Sequence, residues 1–188
     1  MNVIRKGAVV FAVVLLTAVL FSYAEGNKNY RTENGEVIFM SAAPQEIIQA
    51  SSTKLVGVLN PTEKTFRFGV SMITFAGFNS SQQQEHFNEN YIESALFPKA
   101  NFVGKIVEDI DMTVPGTYNI RAKGKLEVHG VKVSKTIKCK LIVGKDYMTI
   151  RSKFSVTLND FDMSVPSVVK NKLAEEINVT VNAKMKIQ

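Results

Sequence analysis

The sequence predicts an all-β domain, an eight-stranded antiparallel β-barrel with one or two short helices, and three observations lead there. Apolar and polar residues alternate with period two over several segments. The segments number about eight, and many reach about ten residues, where roughly five or six is usual. The chain that carries them is one domain long once an apolar leader is set aside. Long antiparallel strands on so short a chain favour a closed barrel over a sandwich of short strands.

The leader comes first. Arg5 and Lys6 precede an uncharged run from Gly7 to Tyr23 that exits at Ser22-Tyr23-Ala24. A basic start, an apolar middle and a small-x-small exit describe a secretory signal peptide, so 1–24 is expected to be cleaved after Ala24, leaving 25–188 as the mature domain. A retained anchor would want roughly 20 apolar residues and no cleavage signature. The single cysteine, Cys139, cannot accept lipid at that cleavage site or form an internal disulfide. Stability must come from packing.

The strands follow in order. Tyr30–Met40 reads as a short hairpin turning at Glu33-Asn34-Gly35. Weaker alternation runs through Lys54–Asn60, Thr65–Phe75 and Ala100–Ile110. From Tyr118 to Val128 it is unbroken: Tyr118, Ile120, Ala122, Gly124 and Leu126 face one way, and Asn119, Arg121, Lys123 and Lys125 the other. Val131–Val143 and Met148–Leu158 repeat the pattern, the latter with Ser152 on its apolar side, and Ile177–Ile187 closes the set. Pro115-Gly116 marks a turn. Two segments read as helical: Ser81–Ser94, with Phe87 and Tyr91 on one face, and Ser167–Glu176, with Ser167 as N-cap after Pro166.

A barrel of this pattern has two possible orientations. Turned to lipid, as in an outer-membrane barrel, the apolar face would leave Arg121, Lys123, Lys125, Arg151 and Lys153 lining a narrow lumen with few acids to pair them. Burying that many charges is prohibitive, and aromatic girdles are lacking. The apolar face therefore points inward. Its members include Phe66, Phe68, Phe102, Ile106, Tyr118, Ile120, Leu126, Phe154, Val156, Val179 and Val181, with small residues Gly104, Ala122, Gly124 and Ala183 among them. Such a set either tapers a filled barrel or opens a channel for a slender apolar ligand, and periodicity allows both.

Chemistry is sparse. Without the leader's Arg5 and Lys6 the formal net charge of +6 falls to 21 Lys+Arg minus 17 Asp+Glu, or +4, which is modest, and the lysines are spread along the strands, which predicts a solvated surface and no nucleic-acid site. His86 shares a helical face with Glu89, Asn90 and Glu93, but zinc wants three or four firm ligands, so no metal or other cofactor is expected. His129 sits at a strand end, where a turn hydrogen bond is its expected role. An enzyme on this barrel would need inward acid–base groups, and only Tyr118, Ser152 and His129 offer themselves. No hydrolase, zincin or phosphate-loop motif occurs. Cys139 falls in the inward register as a small hydrophobe. In a filled barrel the surface would act instead, with Phe75, Phe78 and Phe97 as an exposed apolar patch.

The segment Phe78–Phe102 (FNSSQQQEHFNENYIESALFPKANF) with Gly104-Lys105-Ile106, and Gly124 to Val131 ending in His129-Gly130-Val131, resemble the YceI-like proteins of Bacteroidetes-type bacteria. Val37–Pro44 and Phe154–Pro166 resemble the same family's first long strand and penultimate strand. Where the family carries Arg-Ser-Asp-Phe-Gly, this chain has Arg151-Ser152-Lys153-Phe154-Ser155. The resemblance implies a lipocalin-like barrel with an apolar tunnel, a periplasmic location and a polyisoprenoid or similar long-chain ligand, with transport, storage or sequestration as its use. It implies no catalysis and allows a homodimer. His86, Asn90 and Tyr91 are then the expected polar rim at the tunnel mouth.

Overall fold

A computed structural model describes residues 29–188, so the expected leader and its cleavage site lie outside the described residues. Eight antiparallel strands close into one barrel in sequence order, β1 to β8, with β8 pairing back on β1. They are β1 Tyr30–Ala42, β2 Ile47–Asn60, β3 Thr65–Ser71, β4 Lys99–Ile106, β5 Gly116–Val128, β6 Val131–Val143, β7 Tyr147–Thr157 and β8 Glu176–Ile187. The expected barrel is present.

The alternation is realised as expected. On β5, Ile120, Ala122 and Leu126 are buried while Asn119, Arg121, Lys123 and Lys125 are exposed. Charges outside and hydrocarbon inside is the arrangement of a barrel surrounded by water. Among the described residues no helix is long and apolar enough to cross a membrane.

Strand bounds shift, with β2 beginning earlier than Lys54 and β3 ending at Ser71 before a 3₁₀ turn at Met72–Thr74, and three further expectations change. Tyr30–Met40 is no hairpin, because β1 runs straight through Glu33-Asn34-Gly35 with register shifts against β2 between Thr32 and Val37. Gly35 keeps a negative φ and is there for closeness: a Cβ would meet Leu55 at 3.0 Å and Ala183 at 3.3 Å. The helix at Ser81–Ser94 is shorter, with α1 over Ser81–His86 continuing as a π-turn over Phe87–Tyr91. Ser80 caps it by accepting from the Gln83 amide. Ser167–Glu176 holds only a 3₁₀ turn at Ser167–Val169. Its backbone bonds outward instead: Asn171 accepts from the Gln45 amide, Glu175 accepts from the Leu158 amide, and the Ala174 amide donates to buried Ser41.

The barrel's two ends differ. At the lower end, where β1 begins and β8 finishes, Leu59, Leu141, Met148 and Met185 are fully buried beside Tyr30 and Met112 and form a floor. The upper end carries α1, the loop from Ile92 to Pro98 and the 158–175 segment.

Two glycines shape the wall. Gly104 and Gly124 stand opposite each other on β4 and β5. A Cβ on Gly104 would lie 2.1 Å from the Lys123 carbonyl oxygen, and one on Gly124 would lie 2.3 Å from that of Val103. The two strands approach more closely there than any side chain would allow, a contact that only glycine permits. The pair serves that close approach and does not widen the lumen.

Candidate apolar ligand cavity

Between floor and cap lies a cavity of about 390 Å³, within the range of small-molecule sites. Its shaft is lined by Phe66, Phe68, Phe102, Ile106, Ile120, Leu126, Phe154, Val156, Val179 and Val181, ten of the inward residues expected from the sequence. Tyr118 is not in the wall. It sits lower on β5, level with Leu141 in the floor, and its hydroxyl donates to the Val114 carbonyl at 2.9 Å. Along the strands the shaft runs from Val128 to Ile120, which corresponds to about 20 Å of depth once the strand tilt is allowed for.

Four phenylalanines gather at the upper end. Phe39, Phe75, Phe78 and Phe87 all line the cavity, with Phe39 stacked on Phe87 at 5.2 Å between centroids and Phe78 tilted against Phe87 at 5.1 Å. The π-turn matters here: the Ile92 amide bonds to Phe87 five residues back at 2.9 Å. That extra residue per turn brings Phe87, Tyr91 and Ile92 together to the lumen. Phe75 and Phe78 therefore belong to the interior, and Phe97 packs edge-on against His129 at 4.5 Å, so the exposed apolar patch expected of these three is not formed.

The rim is polar and mixed in charge. His86 and Tyr91 border the cavity, whereas Asn90 is exposed on the far side of the turn. Glu46, Gln83 and Lys172 join them, residues that the sequence did not single out. Gln83 donates to Glu46 at 2.9 Å, and the Gln45–Asn171 backbone bond brings Lys172 alongside. No periodic signal marks Glu46 or Lys172, because both lie in connections between strands.

Deeper in the wall, the polar side chains are Cys139 and Ser152, paired across β6 and β7. Burial pushes the Cys139 thiol up to about 11, against a weaker opposing hydrogen bond from Ser152. At neutral pH it is a protonated, unreactive lining group. Among the described residues no group of His, Cys, Asp or Glu is arranged to hold a metal.

His129 has the carboxylate partner that acid–base chemistry would require. Its Nε2 lies 2.8 Å from Glu93 and its Nδ1 3.2 Å from the Phe161 carbonyl oxygen. Neither His129 nor Glu93 borders the cavity. His129 and Gly130 form the two-residue turn of the β5–β6 hairpin, with φ of 51° and 73°, the left-handed pair such a turn needs. Both ring contacts are with acceptors, so the imidazole joins three elements: this turn, the loop after α1 and the Leu158–Phe161 turn. It is a clasp for the cap. Lys135 adds a second tie, to Asp160 at 3.3 Å.

Comparison with known proteins adds the kinship. No curated protein matches the chain in sequence. Solved structures share the fold at low identity. A polyisoprenoid binding domain from Saccharophagus degradans, implicated in plant cell wall breakdown, aligns with a TM-score of 0.72 at 10% identity, covering 85% of this chain and 98% of that one. BcnA of Burkholderia cenocepacia aligns at 0.64 and 13% identity over 80% and 95% of the two chains. The Campylobacter jejuni YCEI protein aligns at 0.54 and 15% identity over 70% and 78%. A profile of the YceI-like domain matches residues 36–185, from within β1 to within β8, and the chain belongs to the YceI-like family.

Proposed function

We propose that this barrel binds a polyisoprenoid or similar long-chain amphiphile and catalyses no reaction. The observation that carries the reading is the blind apolar cavity of about 390 Å³ between a methionine-rich floor and a polar rim. Hydrocarbon leaving water gains about 0.8 kcal/mol per methylene, so a dry shaft binds a long chain without directional contacts. The head group stays at the rim, where Glu46, Gln83, His86, Tyr91 and Lys172 offer donors and acceptors. The polyisoprenoid-binding relative from Saccharophagus degradans supports the choice of ligand class. The leader expected at 1–24 supports export, and a periplasmic carrier, store or sequestering protein is the role that fits both.

A lipid-modifying enzyme is the alternative that His129 and Glu93 bring to mind. Their place outside the cavity wall counts against it, since neither group can reach a chain held in the shaft. Native mass spectrometry of protein purified from its own host, with extraction of bound lipid, tests the proposal. A mass shift from an extractable long-chain lipid is expected, and a consistently empty barrel overturns it.

A further inference from the structure

The lysines that look scattered along the sequence are gathered by the strand register. On the outer face, Lys105 of β4 stands directly opposite Lys123 of β5, Arg121 of β5 opposite Lys138 of β6, and Lys140 of β6 opposite Arg151 of β7. All six are exposed. Lys123 and Arg121 are two apart on one strand, as are Lys138 and Lys140, so the three pairs form one continuous diagonal stripe across four strands. Like charges directly opposite on neighbouring strands destabilise a sheet, and here this happens three times in a row.

Few acids relieve the repulsion. Glu108 bonds Arg121 at 2.7 Å, and those hydrogen bonds hold its carboxyl below the ordinary value. Glu127 lies 3.6 Å from Lys132, near the upper end of the face. Among the described residues Lys105, Lys123, Lys138 and Lys140 have no carboxylate within ion-pair distance. The outer face of β1 and β2 is mixed, with Glu33, Glu36, Ile38, Met40 and Val56 beside Arg31 and Lys54, and its one facing basic pair is Arg31 with Lys186 of β8. Three facing pairs in succession occur on β4–β7, which makes that face the denser in positive charge.

We propose that the outer face of β4–β7 docks on the surface of a bilayer containing anionic lipids. The stripe itself is built of lysine and arginine side chains with no aromatic between them to stack on bases, and the exposed ring on this face, Tyr147 of β7, is covered by Lys184. Dispersed negative charge over a wide plane is what complements it. The lipid-binding reading above selects a bilayer among polyanions, since a bilayer is where a long-chain amphiphile resides. Docking by this face brings the carrier to the phase that donates or accepts its cargo.

The test is cosedimentation of the whole mature protein with phosphatidylethanolamine vesicles made with and without phosphatidylglycerol. Sedimentation with the phosphatidylglycerol vesicles at low salt, lost as salt is raised, is expected. The variant Lys123→Gln/Lys138→Gln/Lys140→Gln removes one member of each repelling pair. Its melting temperature should equal or exceed the parent's, while its vesicle partitioning falls about a hundredfold, from about fivefold per basic residue. A parent that ignores anionic vesicles, or a variant that partitions like the parent, overturns the proposal. So does tighter binding to duplex nucleic acid than to vesicles with the same loss in the variant. Native mass spectrometry on the same preparation separates the two readings. Vesicle binding by an empty barrel upholds docking and removes the lipid cargo, whereas cargo without vesicle binding overturns docking alone.

Discussion

Ala122→Phe distinguishes a hollow barrel from a filled one by opposite effects on stability and binding. Ala122 lines the lower part of the shaft, opposite Ile106 on β4 and Ile137 on β6. A phenyl ring there projects into a cavity of about 390 Å³ and occupies the place of roughly four methylene groups of ligand. At about 0.8 kcal/mol each, the ligand loses about 3 kcal/mol, or roughly a hundredfold to two-hundredfold in affinity. The fold has room for the ring, so thermal unfolding should shift by no more than about 2 °C. Displacement of a fluorescent fatty acid, read beside a melting curve, measures both quantities on one preparation. In a packed core the same substitution costs about 1–3 kcal/mol by overpacking and lowers the melting temperature by several degrees. A variant that melts much lower yet binds as the parent does would refute the hollow-barrel reasoning.

Other substitutions address the wall, the cap and the thiol. Gly104→Ala should destabilise by about 1–3 kcal/mol or more in urea unfolding, because its Cβ would fall 2.1 Å from the Lys123 carbonyl oxygen. A loss under about 0.5 kcal/mol removes the close-approach argument. His129→Ala releases the Phe161 carbonyl and Glu93 together and should cost about 1–3 kcal/mol. Hydrogen exchange should then quicken around Phe161 and Glu93 and stay slow in the floor, and uniform quickening would count against a clasp. Cys139 should resist iodoacetamide at pH 8 in the native protein and react promptly once unfolded. Its folded thiol ionises only near about 11, above the unfolded value, so the stability it contributes is complete below the unfolded value and drains away as pH climbs toward 11. Stability rising over that interval would contradict the assignment.

How much of this was legible depends on whether a feature lies along a strand or across strands. The alternation of Tyr118–Val128 is local, so β5 and its inward residues follow directly from the residues. The first half of β2 was missed because Ser52 holds an inward place among Ile48, Ala50 and Leu55. That serine is buried and bonded to Thr74 at 2.6 Å, which a period-two count reads as a break. Gly35 looked like a turn because glycine serves both turns and close approaches, and only the opposing Leu55 and Ala183 decide between them. The rim at Glu46 and Lys172 depends on a backbone bond between distant loops. The basic stripe needs the β4–β7 register, without which the same lysines look evenly distributed.

The floor gives the barrel a property that a through-channel lacks. A channel open at both ends accepts a chain of any length, since the excess simply emerges. On the proposed lipid-binding reading, Leu59, Leu141, Met148 and Met185 would stop a chain that enters from the rim, and the shaft would work as a gauge. A chain too short leaves the bottom empty and forgoes its dispersion contacts. A chain too long lifts its head group away from Gln83 and Lys172 or exposes its own middle to water. On that reading the distance from those methionines to the rim would set a preferred cargo length, and trimming or enlarging a floor residue would reset it.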